Sequence, residues 1–265
     1  MEENLNQLVN KAVSGNKIAL ESVIVKIKDM VYNLSLKMLF YPDDAQDATQ
    51  EVLIRIVTHL STFEGNSQFK TWVYRVATNY LLTEKKKNAD TALMTIEDYA
   101  HLIDAGQSPY VAHTQNEGEL LLLEEEVKVS CTYGLLMCLN KSGRMIYILG
   151  DILEFNSIEG SEILGMTSEN FRKQLSRSRE KIRNFLQAKC GLVNSNTDCR
   201  CKGKIDFLID KKKIDPMDIL FAHHTKRSID LVDRIHSMDR AVSVFRSVPV
   251  MQTPEKVLHE TQLML

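Results

Sequence analysis

Long apolar runs are missing from this chain. None approaches the roughly 20 residues that a bilayer span requires, so no membrane insertion is expected. Glycine and proline are scarce, at 11 and 5 in 265 residues, and no run alternates apolar with polar residues. That argues against strands and barrels, and the apolar residues that are present recur at helical spacing, which predicts an all-α chain. An excess of either charge is missing too: 33 Lys and Arg stand against 35 Asp and Glu, for a formal net charge of −2. A pI near 6.4 excludes a uniformly basic coat, so any nucleic-acid contact must come from local patches. There is no Gly-rich phosphate loop, no H-E-x-x-H pair and no nucleophile elbow, and the acids Glu124–Glu126 read as a helix surface. An enzyme is therefore not expected, and no cofactor is implied. The five cysteines are an odd number, and the opening "MEENLNQLVNKAVSG" is polar and acidic, unlike a signal peptide. Both lead to a cytoplasmic protein with reduced thiols.

What is present falls into four blocks. Residues 1–87 read as consecutive amphipathic helices. Residues 88–116 lose clear periodicity, carry Gly106, Pro109 and several acids (Asp90, Glu97, Asp98, Asp104), and read as a flexible linker. Residues 117–193 return to helices, and residues 194–265 follow the polar break "NSNTD" as a helical tail.

The sharpest charge feature is "MTSENFRKQLSRSREKIRNF", where Arg172, Lys173, Arg177, Arg179, Lys181 and Arg183 are opposed only by Glu169 and Glu180. Phe171, Leu175, Ile182 and Leu186 form an apolar stripe at helical spacing. Just upstream, Asn156 or Ser157 can cap a short helix, with Glu159 completing a box if Asn156 is the cap. Ile163 and Leu164 face inward, Gly165 supplies a tight turn, and Thr167 or Ser168 caps the basic helix. Short helix, Gly-containing turn and longer basic helix make a helix-turn-helix pattern, in which the second helix enters a major groove. Glu169, Asn170, Arg172, Lys173 and Ser176 would reach base edges, while Arg177 and Arg179 would hold phosphates. Gly160 counts against the pattern, because glycine inside a helix costs about 1 kcal/mol relative to alanine.

A second constellation lies earlier. Asp43, Asp44 and Asp47 load the first turn of a helix, which suits its positive end. Val52, Ile56 and Leu60 form its inner stripe, leaving Gln50, Glu51 and Arg55 outside. After the loop "EGNSQ" comes "FKTWVYRVATNYLL", crowded with aromatics and leading to Lys85, Lys86 and Lys87. Aromatics beside cations can hold unpaired bases, although a single tryptophan on an amphipathic helix also serves as core.

"DAQDATQEVLIRIVTHLSTFEGNSQFKTWVYRVATNYLL" resembles region 2 of the bacterial sigma-70 family in its small extracytoplasmic-function (ECF) form, and "LNKSGRMIYILGDILEFNSIEGSEILGMTSENFRKQLSRSREKIRNFL" resembles region 4. The two occur in the right order, with no room for a further domain between them. The resemblance implies two small helical domains, core RNA polymerase and promoter DNA as partners, and recognition of −10 and −35 elements. It places Asp47, Gln50, Glu51 and Arg55 on the polymerase-docking surface. Phe63, Ser67 within the loop 64–68, Arg75, Asn79 and Lys85 to Lys87 fall around the −10 strand, where a base would be extruded and read. Residues 169–179 would read the −35 duplex. Targets two turns of duplex apart lie about 70 Å from each other, within the reach of about 100 Å for a linker of roughly 30 extended residues. A stand-alone helix-turn-helix regulator with a sensing tail is the alternative.

The resemblance ends near Cys190. The tail opens with "DCRCKGKIDFLIDKKKIDP", and Cys199 and Cys201, with His223, His224 and Cys190, form a weak candidate for zinc, at a spacing unlike that of known fingers. Arg200 and Lys202 would favour thiolates, so a thiol switch is a second reading, with Cys190 the better oxidation partner. Incidental reduced cysteines are a third. Ile229, Val232, Ile235, Val242 and Phe245 share one helical stripe, and "TPEKVLHETQLML" is a short amphipathic segment. These helices would cover regions 2 or 4, or shield the polymerase-binding or −35 surface, in place of an anti-sigma factor or in order to bind one.

Overall fold

A computed structural model describes residues 5–83, 94–108, 114, 116–221 and 240–262, which are helical with irregular connections and contain no strand. The first unit consists of α1 (Leu5–Val13), α2 (Lys17–Leu39), α3 (Pro42–Thr58) and α4 (Phe69–Thr83). Pro42 opens α3, where its missing N–H is no loss, and Asp43 and Asp44 occupy the first turn. Val23, Ile27, Val31 and Leu34 of α2 bury with Val52, Leu53 and Ile56 of α3 and with Val73, Ala77 and Leu81 of α4.

Helix α5 (Ile96–Asp104) falls inside the stretch expected to be linker. Tyr99 and Ile103 are buried on it, the Tyr99 hydroxyl donates to the Cys131 carbonyl at 2.7 Å, and its ring lies 5.5 Å from that of Phe185. Ile96, Tyr99 and Ile103 are one helical stripe, short enough to be overlooked between polar residues.

The second unit comprises α6 (Glu117–Met137), α7 (Lys141–Tyr147) running into a π turn (Ile148–Ile152), α8 (Ser157–Leu164) and α9 (Ser168–Lys189). Among the tail's described residues are α10 (Ile205–Asp210), α11 (Arg240–Arg246) and α12 (Glu255–Gln262). Side-chain oxygens of Asn16, Thr95, Asn116, Asn140, Asn156 and Thr167 cap α2, α5, α6, α7, α8 and α9. Each accepts from a backbone N–H that the helix leaves unsatisfied.

The two units share one contiguous apolar core, which also takes in Phe221, Phe245, Met251 and Val257 of the tail. Leu123 and Val127 of α6 form a second, smaller cluster with Ile205, Leu208, Ile214 and Ile219. Arg144 stands at the junction, 4% exposed. Its guanidinium donates to the carbonyls of Met38 at 2.5 Å, Leu136 at 3.0 Å, Leu139 at 3.2 Å and Met137 at 3.3 Å. A cation thereby serves the C-terminal ends of α2 and α6 together, where carbonyls lack helical partners.

Lys37 is also buried, with its ammonium 5.7 Å from the Tyr133 ring centroid. Burial pulls it down to about 8, whereas the unfolded lysine holds its proton to about 10.4. Between those values the unfolded chain binds more protons, so stability gains as pH rises. Chemical denaturation of the wild type and Lys37→Met is expected to show a difference that shrinks by about 1–3 kcal/mol between pH 7.5 and 10.5. A difference independent of pH would refute the buried ammonium.

Candidate nucleic-acid and partner interface

The turn is built as its residues dictate. Asn156 accepts from the Glu159 N–H at 3.1 Å while the Glu159 carboxylate accepts from the Asn156 N–H at 3.1 Å, so the box closes on Asn156 and not Ser157. Gly165 adopts φ 62°, the left-handed conformation that ends α8, and the Thr167 hydroxyl accepts from the Asn170 N–H at 3.2 Å to start α9. Gly160, which weakened the pattern on propensity alone, has a packing reason: a Cβ there would lie 2.4 Å from the Phe171 ring. The absent side chain lets α8 and α9 close, and Phe171, Ile182 and Leu186 are buried beneath.

The opposite face of α9 is open. Glu169, Asn170, Arg172, Lys173, Ser176 and Arg177 are all exposed. Lys173 pairs with Glu169 at 2.7 Å, and Asn170 accepts from Gln174 at 3.0 Å. Both are surface contacts of the kind that exchange easily for another partner. Arg179 is engaged differently. Its Nη2 lies 2.5 Å from Asp151 Oδ1 and its Nε 3.0 Å from Oδ2, and the Asp151 side chain is 4% exposed. This fork pins α9 to the π turn, a task that the expected phosphate contact did not include. A buried carboxylate needs such a partner, because desolvation without one is unfavourable.

In the first unit, Phe63 and Trp72 are half-buried and join Phe69 in a cluster, with centroids 5.2 Å apart for Phe63–Phe69 and 5.7 Å for the stacked Phe69–Trp72 pair. Ser67 is half-buried and Asn79 exposed nearby in sequence. Arg75 is committed elsewhere: Nη2 lies 2.7 Å from Glu162 Oε1 of α8, and Tyr74 meets Phe155 edge-on at 5.0 Å. The helix expected to face the −10 strand is thus packed against the first helix of the turn. Lys85, Lys86 and Lys87 lie outside the described residues. On α3, Asp47, Glu51 and Arg55 are exposed and Gln50 is half-buried, with the Arg55 guanidinium 4.9 Å from the Tyr80 ring centroid.

The cysteines do not form the activated site that their basic neighbours promised. Cys131, Cys190, Cys199 and Cys201 line one cavity of about 50 Å³, beside Tyr99 and Lys204. Burial raises all four thiols, Cys131 to about 12 and Cys201 well above its ordinary value. Loss of water outweighs the pull of Arg200 and Lys204, so the thiolate expected from local charge is disfavoured. Among the described residues no three His, Cys, Asp or Glu side chains are arranged to hold a metal ion. His223 and His224 lie outside the described residues. No helix among the described residues is long and apolar enough to cross a membrane.

A capped helix-turn-helix with an exposed, charged outer face and a four-helix unit ahead of it, packed on one shared core, make up an all-helical arrangement among the described residues. The sigma-70 region 2 family matches residues 23–91. The ECF RNA polymerase sigma factor SigW of Bacillus subtilis (strain 168) is 26% identical over 195 residues, covering 71% of this chain and 99% of that protein. The ECF RNA polymerase sigma-E factor of Escherichia coli (strain K12) is 26% identical over 194 residues, covering 71% and 97%. Among solved structures, the chain is similar to CnrH in complex with the cytosolic domain of CnrY, at TM-score 0.47 and 16% identity, covering 68% of this chain and 96% of that one. Residues 23–91 thus match sigma-70 region 2, and the chain is similar to these ECF sigma factors over most of its length and longer than they are.

Proposed function

We propose that the chain binds core RNA polymerase and directs it to promoters, reading a −10 element with its first unit and a −35 element with its second. A sigma factor is a non-enzymatic subunit, and its catalysis belongs to the polymerase. The observation that carries the −35 assignment is the exposed row Glu169, Asn170, Arg172, Lys173, Ser176 and Arg177 on a recognition helix whose start is capped and whose back is buried. Side chains near the helix N-terminus reach base edges, and cations further along hold phosphates.

The −10 assignment rests on Phe63, Ser67, Arg75, Asn79 and the Lys85–Lys87 run. Polymerase docking rests on Asp47, Gln50, Glu51 and Arg55 along the outer side of α3. For Arg75 to reach DNA it must leave Glu162, an exchange at a half-exposed pair that loses little. A restraining protein of the anti-sigma kind belongs to the same reading, as does a cytoplasmic place of work beside the genome.

Run-off transcription on genomic fragments tests this reading. Core polymerase with the purified chain is expected to yield discrete transcripts that core alone does not, and the chain is expected to co-elute with core. Sequence-specific DNA binding without any association with core would favour a stand-alone regulator instead.

A further inference from the structure

The tail lies across both units. Helix α11 sits on the second: Phe245 meets Tyr147 edge-on at 5.2 Å, and Arg246 donates from Nε to the Asp151 carbonyl at 2.7 Å while Nη1 pairs with Glu154 at 2.8 Å. The chain then runs to the first unit in a non-helical stretch. Met251 and Asn33 bond reciprocally, N–H to Oδ1 at 2.9 Å and Nδ2 to carbonyl at 2.7 Å. Thr253 follows, donating its N–H at 2.8 Å and its hydroxyl at 2.7 Å to Asp29 Oδ1. Helix α12 finally packs on α3, with Val257 at 2% and Thr261 at 1% exposure.

These bonds are specific and largely buried, unlike the loose contacts of an incidental tail. Backbone groups satisfied by Asn33 and Asp29 would otherwise be left without partners on burial. The strap also spans an arrangement that is wrong for promoter DNA. Tyr74 and Phe155 are 5.0 Å apart, whereas readers of elements two turns of duplex apart must separate by about 70 Å. With the units joined at α4 and α8 and again at Arg144, the molecule is closed.

We propose that residues 240–262 are an autoinhibitory strap. They hold the two units closed, with α12 packed on α3 while Asp47, Glu51 and Arg55 stay exposed, so the strap must leave before a promoter is read. The inference rests on the sigma-factor reading and adds to it a segment of the chain as its own restraint. Its energetic logic is a population shift: the closed form dominates until something binds the open form better.

Two full-length variants test it in opposite directions. Val257→Asp places a carboxylate in the buried contact and is expected to raise run-off transcription at limiting core about fivefold or more, with unchanged helical circular dichroism. The pair Asp29→Cys and Thr253→Cys, oxidised to a disulfide, is expected to silence transcription, and reductant to restore it; Thr253→Cys alone controls for the native thiols. Equal transcription by the wild type and Val257→Asp, or full activity of the oxidised pair, overturns the strap and leaves the sigma-factor reading standing. Failure of every variant and of the wild type to associate with core overturns both.

Discussion

Replacing Arg144 by alanine is expected to lower the free energy of unfolding by about 3–5 kcal/mol, read as a fall in the urea midpoint. Four carbonyls from the ends of α2, α6 and the following turn depend on one guanidinium. Each bond involves a charged donor, and the acceptors lie at helix ends, where the Leu136 carbonyl also takes the Leu139 N–H at 3.1 Å. Water entering the space would recover part of the loss, which is why the expected figure is below the sum over four bonds. Burial already pulls the guanidinium down to about 10, yet it stays protonated at neutral pH, so the bonds are made by the cation. Arg144→Lys keeps the charge and loses the planar fork, and is expected to recover less than half of the loss. A change below about 1 kcal/mol for Arg144→Ala would mean that the shared core alone joins the units.

The second large effect is on promoter recognition. Arg172→Ala and Lys173→Ala are each expected to weaken −35 binding by about 1–3 kcal/mol if the wild-type contact is bidentate to a base, and the double variant by roughly a hundredfold or more. Competition binding against a scrambled −35 element, at fixed salt, checks this. Equal loss on cognate and scrambled DNA would make both residues phosphate holders and remove them from sequence readout. Glu169 sharpens the test. Its pair with Lys173 is highly exposed on both sides, at 65% and 69%, so Glu169→Gln leaves the fold in place while freeing the ammonium.

Local grammar was legible in the sequence wherever neighbours in the chain determine it. Asn156, Glu159, Gly165 and Thr167 sit where the capping and turn patterns put them, and the stripe Phe171, Ile182 and Leu186 faces inward. What distant segments decide was not legible. Gly160 read as a defect because its reason is the Phe171 ring on the next helix. The Arg75–Glu162 pair joins residues far apart in the chain, and nothing near either one marks it. Arg144 resembles any surface arginine until one notices that "MIYIL" follows it, a run too apolar for an exposed helix. Arg200 and Lys202 promised thiolates because sequence shows charge but not water, and at Cys199 and Cys201 the loss of water prevails. Helix α5 was lost inside a polar segment because a single short stripe carries little periodic signal.

The caps themselves carry a further consequence. The oxygens that start α2, α5, α6, α7, α8 and α9 belong to asparagine and threonine, with no formal charge among them. Ions in solution therefore leave those hydrogen bonds alone, apart from the Glu159 carboxylate that closes the box on α8. An ionic-strength series on promoter affinity would then report counterions displaced from the duplex, free of any contribution from fraying at the other termini, and its logarithmic slope would count the phosphates this protein neutralises.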